Sequence, residues 1–232
     1  MKHVVKCENI TKIFEQGLIK VNALTDVNIS VEAGEFICLS GPSGSGKSTL
    51  LNMIGGLDTP TSGEVYIDGD EIDTLNRSQL ADMRLHKIGF VFQAYNLIPV
   101  LSAQENVEMV MQMQGIDKHT RHQRSSAILK EVGLEGLEDR KPPELSGGQQ
   151  QRVAVARAIV SQPSLILADE PTANLDSNSA SNLIDLMLHI NKQHNTTFII
   201  STHDPMIMQR ARKLVKLHDG QITDIISQNN HV

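Results

Sequence analysis

The feature that most constrains this chain is a glycine-rich loop at residues 41–48, with the sequence Gly-Pro-Ser-Gly-Ser-Gly-Lys-Ser. The loop matches the pattern G-x-x-x-x-G-K-[ST] at every fixed position. An apolar run at residues 36–40 precedes it, and a helical pattern at residues 48–54 follows it. Glycines let the backbone curl so that successive N–H groups face phosphate oxygens, and the helix N-terminus adds partial positive charge. We therefore predict a nucleotide phosphate site between a buried strand and a helix.

The residue types in this loop suit particular parts of a nucleotide. Lys47 supplies a point charge to the β- and γ-phosphates, and the Ser48 hydroxyl can ligate Mg²⁺. A flexible linker would have no reason to lie between a buried strand and a helix. The predicted phosphate-binding residues are Gly41, Pro42, Ser43, Gly44, Ser45, Gly46, Lys47, Ser48 and Thr49. The nearest match to a guanine-reading Asn-Lys-x-Asp motif, at residues 191–194, lacks the Asp, which disfavours GTP.

Strand-like and helix-like patterns alternate along the chain, and this alternation predicts the fold class. Several strand-like runs are continuously apolar, which is typical of strands covered on both faces. The predicted strands lie at residues 27–31, 36–40, 88–92, 165–169 and 197–202. We therefore predict an α/β fold with a mostly parallel sheet. The first 35 residues and residues 63–69 instead indicate antiparallel strands, and an Asp-Gly turn ends the latter.

Residues 94–160 depart from the alternation and divide the predicted domain into two parts. This segment is rich in Met, Gln, Glu and His, and helical patterns cover residues 102–114 and 120–132. We interpret it as a helical subdomain inserted into a nucleotide-binding core formed by about residues 1–93 and 161–232. The whole chain, residues 1–232, is then a single domain.

Acidic and polar side chains follow three of the predicted strands. Asp169 and Glu170 end the apolar run at residues 165–168, and ligands bind at the carboxyl ends of parallel strands. Asp169 can hold Mg²⁺, and Glu170 can act as a general base that polarises water. His203 follows another strand and is expected to lie beside the γ-phosphate. Gln93 ends a third strand, where its amide can contact both Mg²⁺ and water.

Composition excludes several other classes of protein. Lys and Arg total 21 against 27 for Asp and Glu, a formal charge of −6, whereas proteins that neutralise nucleic-acid backbones are normally basic. Aromatic residues are only 3%, with no Trp, so we expect no nucleic-acid partner. No uncharged apolar run reaches the length of a membrane span, and the N-terminus lacks a signal-peptide pattern. The two cysteines, Cys7 and Cys38, are expected to be buried thiols.

A second glycine-rich turn makes the interpretation specific. The string Leu-Ser-Gly-Gly-Gln at residues 145–149 opens a helical pattern at residues 150–160 and forms another backbone anion site. One active site hardly needs two such sites from the same chain, which indicates a second chain. The string resembles the signature motif of ATP-binding cassette (ABC) ATPases, which are P-loop NTPases with a RecA-like core. The resemblance extends along nearly the whole chain.

The resemblance implies a role for each motif. Phe14 resembles the aromatic residue that stacks on adenine, where the family more often has Tyr. Residues 41–48 resemble Walker A, Gln93 the Q-loop, and residues 165–170 Walker B with Glu170 as the catalytic base. Residues 173–176 resemble the D-loop, and His203 the switch histidine. The implied Mg²⁺ ligands are Ser48, Gln93 and Asp169, and the signature residues that contact ATP are Ser146, Gly147, Gly148 and Gln149.

A closer resemblance, to the lipoprotein-releasing and macrolide-export branch, lies in residues 42–69, 88–108 and 145–158 and implies the partners. It implies a head-to-tail homodimer around two ATP molecules, with Walker A of one subunit facing the signature turn of the other. It also implies an integral membrane permease, and a location on the cytoplasmic face of the inner membrane. Regulation of cell-wall hydrolysis, without transport, is the alternative within this branch. A soluble ABC ATPase acting on DNA or ribosomes and a small-molecule P-loop kinase are further alternatives, and the latter would not need residues 145–149.

Overall fold

The computed structural model describes residues 3–17 and 19–228. Residues 1, 2, 18 and 229–232, which fall within the predicted domain, lie outside the described residues. The strands are β1 His3–Gln16, β2 Ile19–Glu32, β3 Phe36–Ser40, β4 Ser62–Ile67, β5 Asp70–Glu71, β6 Ile88–Phe92, β7 Leu165–Asp169, β8 Thr197–Ser201, β9 Lys213–His218 and β10 Gln221–Ser227. The helices are α1 Lys47–Ile54, α2 Arg77–Lys87, α3 Ala103–Met113, α4 Lys118–Glu131, α5 Gly147–Ile159, α6 Ser177–His194 and α7 Pro205–Arg210.

The central sheet confirms the predicted α/β class. Its six strands follow the order β10-β9-β3-β8-β7-β6. The pairs β3–β8, β3–β9, β6–β7 and β7–β8 are parallel, and only β10 pairs antiparallel with its neighbour. Because the parallel strands run in one direction, β3, β6, β7 and β8 end at one edge of the sheet. The ends of these four strands and the segments that follow them carry the predicted site residues other than Phe14 and the turn at residues 146–149.

The N-terminal sheet is antiparallel, as predicted. Its strands follow the order β2-β1-β4-β5. The Asp-Gly turn joins β4 to β5, and both turn residues have positive φ, +54° at Asp68 and +90° at Gly69. Two positive φ values in a two-residue hairpin loop are typical of a type I′ turn, which matches the right-handed twist of the strands.

Two hydrophobic cores cover the two faces of the central sheet, which explains the continuously apolar strands. On β3, Phe36 and Cys38 belong to the core shared with α3–α6, whereas Ile37 and Leu39 belong to the core shared with α1 and the antiparallel sheet. All four side chains are fully buried. Cys7 and Cys38 are free and buried, as predicted, and burial raises the pKa of each thiol to about 12.

Helix boundaries follow capping side chains more closely than hydrophobic periodicity. Ser102 accepts a hydrogen bond from Glu105 N, so α3 begins at Ala103. The helix predicted at residues 150–160 begins at Gly147 instead, because Ser146 is its N-cap. Periodicity does not predict α2, which buries only Met83. No helix among the described residues has the length and apolarity needed to span a membrane.

Candidate nucleotide-binding site

The loop at residues 41–46 forms a cradle at the end of β3. Gly46 is the N-cap of α1 with φ +102°, and Gly44 has φ +81°. A Cβ atom at Gly46 would lie 2.7 Å from Ala23 O, so both conformation and space require glycine there. The Ser45 hydroxyl is buried without a hydrogen-bond partner in the described structure. Open backbone amides, a helix N-terminus and an unpaired hydroxyl suit phosphate oxygens.

The Lys47 ammonium group lies within this cradle. Its Nζ donates to Gly41 O at 2.8 Å and to Pro42 O at 3.1 Å, and the residue is buried. Both acceptors are neutral carbonyl groups, so these hydrogen bonds do not neutralise the charge. A buried cation without a compensating charge is costly unless a ligand supplies one. The geometry therefore fits a polyphosphate group at the loop.

Asp169 connects the loop to the neighbouring strands. Its Oδ1 accepts a hydrogen bond from Ser48 Oγ at 3.0 Å and another from Ser201 Oγ. A hydroxyl and a carboxylate at hydrogen-bond distance are the oxygen donors that Mg²⁺ takes together with phosphate oxygens. No cluster of three or more His, Cys, Asp or Glu side chains that could hold a metal occurs among residues 3–17 and 19–228. The residues thus fit a Mg²⁺ ion that takes its remaining ligands from phosphate and water.

Glu170 occupies a tight turn directly after β7. Its φ is +46°, its N–H donates to Ser201 O at 3.0 Å, and its side chain is 18% exposed. Glu170 Oε1 lies 3.0 Å from His203 Nδ1, and the His203 side chain is 72% exposed. The adjacent carboxylates have different partners, because Asp169 contacts Ser48 and Ser201 whereas Glu170 contacts His203. The pair can accept and relay a proton at the edge of the phosphate loop.

Gln93 lies in an exposed turn after β6, next to the predicted D-loop. Its backbone oxygen accepts a hydrogen bond from Asn174 Nδ2 at 2.9 Å. Arg157 of α5 holds the following residues, because its guanidinium donates to Tyr95 O at 2.9 Å and Asn96 O at 2.6 Å. Burial lowers the pKa of Arg157. The backbone around Gln93 is therefore fixed from two sides, whereas its exposed side chain can turn toward a ligand.

Phe14 lies near the tip of the β1–β2 hairpin, opposite Val21, and is 40% exposed. Lys12 Nζ lies 5.0 Å from the Phe14 ring centroid and is held by Asp58 Oδ1 and Thr59 O, each at 2.8 Å. A cation over the ring is a stabilising contact that fixes the orientation of the ring. The exposed remainder of the ring offers an apolar surface of the kind on which a nucleobase stacks.

The turn at residues 146–149 lies outside this cradle. Ser146 Oγ accepts from Gln149 N, and Gln149 Oε1 accepts from Ser146 N, so the turn is a capping box at the start of α5. Ser146, Gly148 and Gln149 line a cavity of about 300 Å³ with residues of α5 and α6. Gly41, Pro42 and His203 line a different cavity, of about 420 Å³. The chain therefore presents two separate surfaces suited to anions.

Contacts bring Lys47, Ser48, Asp169, Glu170 and His203 into one connected site, and their catalytic roles stay predictions. Patterns in the sequence do not single out the supporting residues Lys12, Ser201 and Arg157, and they include Asn174 only as part of the predicted D-loop. A signal exists for Ser201, because parallel register pairs it with Asp169 across β7 and β8. The others act through contacts between segments far apart in sequence, which no local pattern reports.

Comparison with known proteins gives consistent matches. A family model described as "ABC transporter" matches residues 24–173. The chain is 44% identical over 94% of its length to the macrolide export ATP-binding/permease protein MacB of Brucella melitensis, of which it covers 34%. It is 43% identical over 97% of its length to an uncharacterized ABC transporter ATP-binding protein, MJ1508, of Methanocaldococcus jannaschii, of which it covers 100%.

Solved structures agree with these matches. A dimeric structure of the ATP-binding cassette MJ0796, in a post-hydrolysis state bound to ADP and Pi, is 42% identical and has a TM-score of 0.90. The comparison covers 97% of this chain and 99% of that one. A second MJ0796 structure, described as the dimeric structure of a bacterial ABC transporter cassette, also has a TM-score of 0.90, at 41% identity. The chain spans about a third of the length of the MacB relatives and nearly all of the MJ0796 cassette.

Proposed function

The chain belongs to the ABC transporter ATPase family, and from this premise we propose that it powers a separate membrane permease by hydrolysing ATP as a head-to-tail homodimer. The ATPase activity follows from the family, the MacB relatives support the predicted branch, and the partner and the coupling are the proposal. One observation carries it: contacts join the phosphate loop to Asp169 and Glu170 to His203, while the signature turn lines a separate cavity.

Each residue of the connected site has a distinct task in this proposal. The loop amides and Lys47 bind the β- and γ-phosphates, and Ser48, Asp169 and Gln93 would hold Mg²⁺. The ion would supply positive charge that offsets the charge of the phosphates. Glu170 accepts the proton of the attacking water as general base. His203 holds the Glu170 carboxylate through the 3.0 Å contact, and Phe14 supports the adenine ring.

The separate signature turn supports the head-to-tail arrangement. In the proposed dimer, Ser146, Gly147, Gly148 and Gln149 of one subunit complete the phosphate site of the other. The N-terminus of α5 then adds its partial positive charge to the far side of the γ-phosphate. The similar MJ0796 cassettes are described as dimers, which is consistent with this arrangement. ATP binding closes the dimer, and hydrolysis opens it.

A groove beside the Q-loop is suited to a cytoplasmic helix of the permease. It has a volume of about 690 Å³ and lies between α2, β6 and α3. Leu57 is 48% and Met113 60% exposed at this groove. Its apolar lining includes Leu57, Leu85, Phe90, Met109, Val110 and Met113. We propose a division into a core of about residues 1–93 and 161–232 and a helical subdomain of residues 94–160. The groove is lined by residues of both parts, so a relative motion of the two parts would reach the permease.

The relatives named for macrolide export support a role in transport across the cell envelope, such as efflux or lipoprotein release. In this role, the chain would lie on the cytoplasmic face of the inner membrane. The decisive test is a search for an adjacent reading frame that encodes a permease, followed by co-purification of that permease with this chain in detergent. We expect a stable complex whose ATPase rate changes on reconstitution in lipid. Substituting Met113→Glu in the groove should break the complex while leaving ATP binding intact. A complex that survives this change would remove the groove from the proposal.

A further inference from the structure

Gln151 is a fully buried glutamine that contacts segments on both sides of the nucleotide site. It lies on α5, five residues after the N-cap Ser146. Its Nε2 donates to Pro171 O at 2.9 Å and to Phe92 O at 3.4 Å. Pro171 directly follows Glu170, and Phe92 directly precedes Gln93. One amide group therefore joins α5, the helix that begins at the signature turn, to the backbone beside two predicted active-site residues.

The other half of this amide has no partner. Gln151 Oε1 is buried and accepts no hydrogen bond in the described structure. A buried unpaired acceptor is costly, so an unpaired acceptor in a native core calls for an explanation. The two carbonyl acceptors assign the NH₂ group to the side that faces the site. The donor pair is therefore the part of the side chain that carries a role.

The turn beside Gln151 needs support from its surroundings. Glu170 has φ +46°, a conformation that is unfavourable for a residue with a side chain. Glu170 N donates to Ser201 O, and Ala173 N donates to Glu170 O, so backbone hydrogen bonds hold the turn from the β8 side and from within. Gln151 adds the only side-chain hydrogen bond to Pro171 O that the described structure shows, from the α5 side.

We propose that Gln151 is a positioning residue for ATP hydrolysis. It holds the Glu170–Pro171 turn against the end of β6, so that the Glu170 carboxylate stays in reach of the attacking water. Because Gln151 belongs to the helix that begins with the signature turn, it also ties the position of that turn to Glu170 of the same subunit. The inference rests on the proposed function of Glu170 as general base.

Two substitutions at this position separate positioning from folding. Gln151→Met keeps the length and removes both donors, so we expect kcat to fall by about 10–100-fold with unchanged ATP affinity. Gln151→Glu places a carboxyl group against the two carbonyl oxygens. The protonated form can still donate one hydrogen bond, whereas the ionised form repels both oxygens. We therefore expect its kcat relative to wild type to fall as the pH rises.

Gln104→Met is the matched control. Gln104 is also a buried glutamine with multiple hydrogen bonds, but it lies on α3 and contacts His122, Ser125 and Ser126 of α4. The Gln104→Met substitution should lower the melting temperature while leaving kcat at the wild-type value. All variants are assayed as the full chain with Mg²⁺-ATP, by phosphate release and by equilibrium ATP binding.

The outcomes distinguish the inference from its premise. Wild-type kcat in Gln151→Met, or no pH-dependent change in the activity of Gln151→Glu relative to wild type, overturns the inference. A Gln151→Met variant that loses ATP affinity and stability together with kcat also overturns the inference, because this combination indicates a loss of folding. Wild-type hydrolysis in Glu170→Gln would instead overturn the general-base assignment. An inactive Glu170→Gln beside normal Gln151 variants leaves the proposed function intact.

Discussion

At the scale of single residues, the adjacent acids Asp169 and Glu170 have different hydrogen-bond partners, which suits the different tasks proposed for them. Asp169 ends β7 in extended conformation and shares hydrogen bonds with two serine hydroxyls, which suits metal binding. Glu170 enters the left-handed region and contacts His203 instead. In the proposed mechanism, metal binding and proton transfer thus belong to neighbouring residues, and each role can be tested separately.

The change Glu170→Gln tests this division. The amide keeps the shape of the side chain but cannot accept a proton, so we expect hydrolysis to slow by about 10²–10⁴-fold. Removing a negative charge beside the γ-phosphate should at the same time favour ATP binding. Phosphate release measures the first effect, and gel filtration with ATP at low Mg²⁺ measures a stalled dimer. A monomer that hydrolyses ATP at the wild-type rate would leave His203 as the next candidate base.

The change Phe14→Ala tests the base platform. If adenine stacks on the exposed ring, its loss should weaken ATP binding by about 1–3 kcal/mol. Binding of inorganic tripolyphosphate, which has no base, should be unchanged and serves as the control. Equilibrium binding of both ligands gives the comparison. Unchanged ATP affinity in a folded variant would mean that Phe14 serves only the packing of the hairpin, beneath Lys12.

At the scale of elements, the central strands, the phosphate loop and the acidic strand end were predictable from the sequence. They are set by local causes: continuous burial for β3 and β8, nearly continuous burial for β7, and positive φ for the loop glycines. The start of α5 and the existence of α2 were not, because capping and weak amphipathicity decide them. The support of Glu170 by α5 was not predictable either, since it joins residues twenty positions apart through a buried side chain.

The crossing of α5 over β6 is the element contact that fixes the signature helix on the core. Gly89 of β6 allows it, because an added Cβ would lie 2.2 Å from Ala158 O on α5. Gly89→Ala should therefore destabilise the chain by about 1–3 kcal/mol, the usual cost of overpacking. Urea unfolding measures the change in the free energy of unfolding.

Gly115→Ala provides the comparison for Gly89→Ala. There φ is +77° but an added Cβ meets open space, so only backbone strain, about 1 kcal/mol, is expected. A loss at Gly89 no larger than the loss at Gly115 would mean that α5 can move away from β6 at little cost. The position of the signature turn would then not be fixed by the core sheet.

At the scale of the whole molecule, the chain presents two separate surfaces suited to anions, which the proposed dimer would combine into shared sites. The phosphate loop lines one cavity and the signature turn another, and each presents backbone amides at a helix N-terminus. A closed head-to-tail dimer satisfies both surfaces twice, once for each ATP, and its two-fold symmetry leaves no half-site unused. The dimer is therefore the smallest unit in which every predicted phosphate contact can be made.

Mixing two inactive variants tests this arrangement. Lys47→Ala removes the charge that binds the β- and γ-phosphates, and Ser146→Arg blocks the signature turn, so each homodimer should be inactive. A heterodimer joins the normal phosphate loop of the Ser146→Arg subunit to the normal signature turn of the Lys47→Ala subunit. One intact composite site results, and the other site carries both defects.

We expect the mixture to regain part of the wild-type ATPase rate, with a maximum near equal amounts of the two variants. Differently tagged subunits, captured in sequence, confirm that heterodimers form. Proven heterodimers without any recovered hydrolysis would contradict the shared site, because a site built within one chain gains nothing from its neighbour.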